Sequence, residues 1–169
     1  SHGVTKHTIK GTLNLYGPQE MNIMVISQQA RAENIVKLVA PGENITGNVN
    51  NEMNITGPLE NVTIEGKLQL SDGSFRGRLI AKGEGFYKRE QGVTTISQFS
   101  IDSLNTQIKL SGNISPKQEL DFTIAAQDID MASLNIKLPY TPVGRAQFNG
   151  KLTGTANNPI FNGQLYAAT

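Results

Sequence analysis

Few side chains in this sequence are equipped for chemistry. The two histidines are His2 and His7, both at the very start of the chain, and neither has a serine or aspartate spaced to form a proton relay with it. Asp128 and Asp130 make an Asp-x-Asp pair, an oxygen set suited to a hard cation, but a solvated turn leading into Met131 is the simpler reading. Gly83-Glu84-Gly85-Phe86 is a glycine cluster without the strand-to-helix setting of a phosphate loop; it reads as a bulge or tight turn. Cysteine is absent, which removes disulfides, thiolate nucleophiles and every cysteine-based metal site. Asn44, Asn54, Asn61 and Asn113 open Asn-x-Ser/Thr sequons, a pattern that strands rich in Asn and Thr generate by chance. The expectation is a chain that is not an enzyme and holds neither metal nor cofactor.

The elements around these residues announce themselves by period-two alternation, the signature of a strand with one buried face. Ile9, Gly11, Leu13 and Leu15 alternate with polar residues, as do Val62, Ile64, Gly66, Leu68 and Leu70. The run Phe75, Gly77, Leu79, Ala81 follows, then Ile108, Leu110, Gly112, Ile114 and Leu120, Phe122, Ile124, Ala126. Ala146, Phe148, Gly150, Leu152, Gly154 and Phe161, Gly163, Leu165, Ala167 close the series. Such regular alternation belongs to antiparallel sheets with one solvated face. Breakers separate the runs at Gly17-Pro18, Pro41-Gly42, Gly57-Pro58, Asp72-Gly73, Ser115-Pro116 and Asn158-Pro159. Asp72-Gly73 is the best candidate for a tight hairpin, while Asn149-Gly150 and Asn162-Gly163 keep the phase and read as strand interior. Only Gln28 to Ala40 resists the pattern, and a short helix near 30–38 competes there with an irregular crossing.

The chain also repeats itself. Ile55-Thr56-Gly57-Pro58-Leu59-Glu60-Asn61-Val62-Thr63-Ile64-Glu65-Gly66-Lys67-Leu68 aligns with Leu152-Thr153-Gly154-Thr155-Ala156-Asn157-Asn158-Pro159-Ile160-Phe161-Asn162-Gly163-Gln164-Leu165. Gly57 and Gly154 lie 97 positions apart, as do Gly66 and Gly163, and Met21 to Val25 resembles Leu120 to Ile124 at a spacing of 99. One copy spans about 7–70 and a second about 107–168, with connecting strands over 71–106. Repetition of this kind favours a stacked, elongated architecture.

Composition narrows the function. Net charge is +1 and no basic block stands out, so the electrostatic footprint of a nucleic-acid binder is missing. Aromatics are 6% with no tryptophan, which argues against base-stacking platforms and against the sugar platform of a carbohydrate-active β-sandwich. No apolar run approaches the ~20 residues of a spanning helix. Ser1-His2 reads as a cloning remnant and Leu165 to Thr169 stops in mid-pattern, so the chain is expected to be a piece of a longer protein. Its inward phase is almost free of charge and repeatedly occupied by glycine, at Gly11, Gly47, Gly66, Gly77, Gly112, Gly150, Gly154 and Gly163. Glycine inside a strand marks a bend or room for close approach. A groove lined by Ile23, Val25, Ile55, Ile64, Leu68, Leu70, Phe75, Leu79, Ile101, Ile108, Leu110, Phe122, Ile124, Phe148, Leu152, Phe161 and Leu165 would suit hydrocarbon, at about 0.8 kcal/mol per buried methylene.

The stretch Ile55 to Gly77, with Phe148-Asn149-Gly150-Lys151-Leu152-Thr153-Gly154 and Asn157 to Gly163, resembles the "TG…NP…G-x-L…G-x-F/Y" repeat of the TamB and AsmA-like family of bridge-like lipid transfer proteins. The resemblance covers most of the chain through a short, degenerate motif. It implies an all-β, strongly curved antiparallel or mixed sheet folded into an open, taco-like apolar trough. It also implies a periplasmic segment of an inner-membrane-anchored protein of a double-membraned bacterium. Such a segment would conduct phospholipid acyl chains between the membranes and aid outer-membrane protein assembly with a barrel partner bound through other parts. No catalytic motif comes with it. The rival expectation is a structural or adhesive β-solenoid with a filled core, and free sheet edges give either version a route to edge-to-edge self-association.

Overall fold

The computed structural model describes residues 5–39, 45–75, 77–103, 106–134, 139 and 143–168. Ten strands form one sheet, and each pairs with its neighbour in sequence. They are β1 (Lys6–Leu13), β2 (Glu20–Arg31), β3 (Ile45–Pro58), β4 (Thr63–Phe75), β5 (Arg78–Glu90), β6 (Val93–Ser103), β7 (Thr106–Ile114), β8 (Leu120–Asp130), β9 (Arg145–Thr155) and β10 (Asn158–Ala168). All nine pairings are antiparallel, and β1 and β10 are left as free edges, so the sheet does not close into a barrel. The all-β expectation holds, with antiparallel pairing throughout. The meander follows from the chain's own punctuation, since consecutive antiparallel strands need only short reversals.

Between β2 and β3 the chain forms α1 (Ala32–Val39); the helix reading of that segment holds, and the Pro41-Gly42 turn lies outside the described residues. Ala32 and Val36 are buried, spaced for one helical face, and α1 lies against β2, β3, β4 and β5, chiefly β3. Its charges follow the helix dipole, Glu33 in the first turn and Lys37 in the last. A short 3₁₀ turn, η1 (Met131–Leu134), takes the corresponding place after β8.

The sequence repeat has a structural counterpart. The β2/β3 bulge between Ser27 and Ala30 recurs 99 residues later, between Ala126 and Ile129 of β8. Gln29 and Asp128, inside those bulges, share positive φ of 52° and 55°. The pairs Ile23↔Ile55, Ser27↔Asn51 and Asn51↔Leu68 are matched by Phe122↔Leu152, Ala126↔Phe148 and Phe148↔Leu165. Gly57 and Gly154 both take the left-handed conformation, at 98° and 81°. Asp72 in β4 and Gln98 in β6 sit at two further register shifts with φ of 50° and 51°, so every even-numbered strand from β2 to β8 carries one bulge. Each adds twist and bends its strand.

Two expectations fail at the β4 bulge. Asp72-Gly73 is not a hairpin turn: β4 runs through it to Phe75, and the reversal comes at Gly77, φ 78°, with Phe75 facing Arg78. The bulge also shifts the phase of the strand that follows. Ile80 is buried, whereas Leu79 pairs with Ser74 and is 66% exposed. Gly83-Glu84-Gly85-Phe86 is not a turn but the middle of β5; the β5/β6 register shift does fall there, between Glu84 and Phe86, opposite the positive-φ Gln98 of β6.

Candidate functional site: the apolar face of the sheet

Cross-strand partners in a sheet share a face, so the register traces which side chains meet. One row runs across all ten strands: Ile9, Val25, Met53, Gly66, Tyr87, Ile96, Gly112, Phe122, Leu152, Phe161. It contains no charge and spans about 43 Å at the usual interstrand spacing. A parallel row, Ala30, Val49, Leu70, Gly83, Ile101, Ile108, Ala126, Phe148, Leu165, crosses β2 to β10 on the same face. Ile23, Ile55 and Ile64 line up beside the first row, and Leu68, Leu110 and Ile124 fall between the two. Phe75 pairs with Ile45 and packs with it against the buried cluster that includes Ile80. Sixteen of the expected groove residues therefore share one face. Leu79 is the exception and stands on the other, because the bulge at Asp72 reverses the phase.

Burial along this face is uneven. A cluster of Ala32, Val49, Leu68, Leu70, Ile80 and Tyr87 gathers under α1, and a smaller one of Ala126, Ile129 and Ala146 lies by η1. At the edges Ile9, Leu13, Phe161 and Leu165 are exposed. The chain exposes 11211 Å², against about 8,100 Å² for a compact monomer of its mass.

Apart from Gly77, which lies at the β4/β5 reversal with open space around it, the inward glycines do not leave empty space. A Cβ on Gly66 would meet the Tyr87 hydroxyl at 2.8 Å, one on Gly85 the Phe99 ring at 2.6 Å, and one on Gly150 or Gly163 the Phe148 ring at 2.7 Å. The protein's own aromatic rings thus lie over glycines of a neighbouring strand and, for Phe148 over Gly150, of their own strand, a pairing that restores packing where a strand lacks side chains. At Gly11 and Gly112 the backbone of the adjacent strand comes within 2.1 Å of the Cβ position, so those glycines serve close strand approach.

Polar groups interrupt the face at more than one point. Arg89 and Thr94 continue the Ile23–Ile55–Ile64 row across β5 and β6, Arg89 Nη1 donating to Thr94 Oγ1 at 3.4 Å with Thr94 1% exposed. A second polar set lies on β1 to β4. His7, Ser27, Asn51 and Leu68 are successive register partners on β1 to β4. His7 Nδ1 lies 2.9 Å from Ser27 Oγ, and the Tyr87 hydroxyl donates to Asn51 Oδ1 at 2.7 Å. Burial pushes the Tyr87 phenol up to about 12, the hydrogen bond with Asn51 opposing it more weakly, so the hydroxyl keeps its proton and remains a donor. Ser27 and Asn51 are 2% and 1% exposed, and Asn51 Nδ2 is buried without a partner. Sequence reasoning passed over Asn51 because it breaks the alternation of Val49, Met53 and Ile55; Tyr87 was hidden beside the supposed glycine turn.

The remaining chemistry-bearing residues have architectural work. Asp128 holds the β8 bulge and its carbonyl accepts from Arg145 Nη1 at 2.8 Å. Asp130 Oδ1 accepts from Ala132 N at 3.1 Å at the start of η1. Asn54, Asn61 and Asn113 are exposed, and Asn44 lies outside the described residues. Among the described residues no group of three or more potential ligands gathers to hold a metal, and no helix is long and apolar enough to cross a membrane. Beside the β2 bulge lies a depression of about 240 Å³ lined by Ile26, Ser27, Gln28, Asn50, Asn51, Glu52, Lys67 and Gln69.

Comparison with protein-family models, curated proteins and solved structures yields no match to this chain.

Proposed function

We propose that the apolar face works as an open trough that shields and conducts phospholipid acyl chains. The observation that carries this reading is the uncharged row from Ile9 to Phe161, continuous over ten strands and exposed at both ends. A face of this kind offers hydrocarbon a track along which each methylene leaves water at about 0.8 kcal/mol. The large exposed surface and the separation of the two buried clusters support a face not filled by a single core. Together with the repeat, they favour a segment of a TamB/AsmA-like protein in the periplasm of a double-membraned bacterium. In that setting lipid passes between inner and outer membranes, and a barrel partner engages other parts of the protein.

A filled structural solenoid is the competing reading, and the aromatic rings laid over Gly66, Gly85 and Gly163 are what favour it. Charge placed on exposed side chains separates the two. Phe161→Asp with Leu165→Asp puts two carboxylates on the apolar face at β10, where both residues are exposed and folding is spared. Ile160→Asp puts one on the opposite face of the same strand. Lipid co-purifying with each variant, quantified by mass spectrometry, should fall several-fold for the first and stay unchanged for the second. Equal lipid in both, or none in the unaltered chain, would hand the face to the solenoid reading.

A further inference from the structure

The row His7–Ser27–Asn51–Leu68 has a duplicate, Ile108–Ala126–Phe148–Leu165, in the second copy of the repeat. The duplicate is wholly apolar, so the polar character of the first row is not required by the strand arrangement. Burying an amide donor without a partner costs stability, and a phenylalanine at the same register position avoids that cost. A buried group kept at such a cost points to something that uses it.

We propose that Asn51 donates from Nδ2 to the ester carbonyl of an acyl chain seated on the apolar face, a site that rests on the trough reading and gives it a fixed point. Tyr87 orients the amide: its hydroxyl occupies Oδ1 at 2.7 Å, so the oxygen is turned to the tyrosine and the nitrogen is left for the ligand. His7, at the outer end of the row, is exposed on the free edge strand, while Ser27 and Asn51 are buried. The chemistry selects a neutral acceptor over an anion. No lysine or arginine stands in the row. A ligand carboxylate would enter without a counter-charge, at a large desolvation cost; an ester carbonyl asks only for the hydrogen bond. The Met53 and Leu68 side chains flanking Asn51 are buried and apolar, a setting for the alkyl chain that follows the carbonyl.

The test compares a short-chain diacyl phosphatidylcholine with its dialkyl ether analogue, which has the same headgroup and chain length but no carbonyl. Binding of each to the full chain, below the micelle concentration, is measured by calorimetry. The unaltered protein should bind the ester lipid about tenfold more tightly, the factor expected of one hydrogen bond of ordinary net strength. Asn51→Leu should bring the two affinities together by weakening the ester lipid alone. Tyr87→Phe, which frees the amide to rotate, should narrow the ratio with the Asn51 side chain intact, and it carries the test should Asn51→Leu fail to fold. Equal affinities in the unaltered protein, or a preference that survives Asn51→Leu, overturn the site while leaving the trough standing. Failure of both lipids to bind overturns the site and the trough together.

Discussion

Leu68 and Leu165 occupy the same register position in two copies of one strand arrangement, yet Leu68 is 8% exposed and Leu165 is 45% exposed. Each sits opposite its counterpart on the preceding strand, Asn51 or Phe148, and each points to the same face. What differs is the surroundings. Beside Leu68 stands β5, and Ala32 of α1 packs into the same buried cluster. Leu165 is on the edge strand β10, and among the described residues the turn η1 stands at the place of the helix. The same residue type in the same register is core in one copy and surface in the other. Burial on this sheet is set by the neighbouring strand and by what covers the face, not by the alternation that orients the side chain.

That contrast can be broken most forcefully at the leucines themselves. Leu68→Ala should destabilise the fold by about 3 kcal/mol in urea denaturation, the range for deleting a buried leucine. Leu165→Ala should cost under about 1 kcal/mol, as for an exposed position. Comparable losses would mean that the second copy has a core as closed as the first. The next effect comes from the paired turn glycines. Gly57 and Gly154 share a left-handed backbone, but a Cβ at Gly154 would meet Asn158 O at 2.4 Å, whereas the nearest atom at Gly57 is 3.5 Å away. Alanine should therefore cost about 1 kcal/mol at Gly57, from backbone strain alone, and about 2–3 kcal/mol at Gly154. Here the second copy is the tighter one, a reversal that thermal melts of the two variants would register.

The smallest expected effect belongs to Tyr87, the buried phenol of connecting strand β5 that reaches into the first copy at Asn51. Its folded pKa is raised from 10.0 to about 12. The folded state therefore keeps a proton that the unfolded chain has released. Stability from this source is complete below pH 10 and is lost as pH rises from 10 towards 12, by up to about 2 kcal/mol. Tyr87→Phe should flatten that decline, measured as urea midpoint against pH; a decline that persists unchanged would assign it elsewhere.

Much of the fold is written in the sequence, because a side-chain period of two states strand and face together. The sixteen groove residues that share a face were legible for that reason, and so was the helix, where the period lapses after Gln28. The repeat was legible because Gly57 and Gly154 hold matching turns. Leu79 was not, because a bulge at Asp72 changes phase without changing composition: Asp-Gly suits a hairpin turn and a bulge alike. The room at the inward glycines was misread for a different reason. Tyr87 over Gly66 and Phe148 over Gly163 are cross-strand contacts, visible only once the register is known. Asn51 drew no notice in the sequence because it breaks the alternation of its strand; its register counterpart Phe148 shows that the position admits an apolar residue.

The central claim, that lipid chains occupy the apolar face, is tested most directly at two adjacent residues of β8. Ile124 lies on the apolar face beside the Ile9–Phe161 row, and Thr123 lies on the opposite, more exposed side of the same strand. A photo-crosslinking residue at each position, irradiated with labelled phospholipid vesicles, should capture lipid at 124 and not at 123. Capture at 123 alone, or equal capture at both, would follow exposure rather than the trough and would contradict the account.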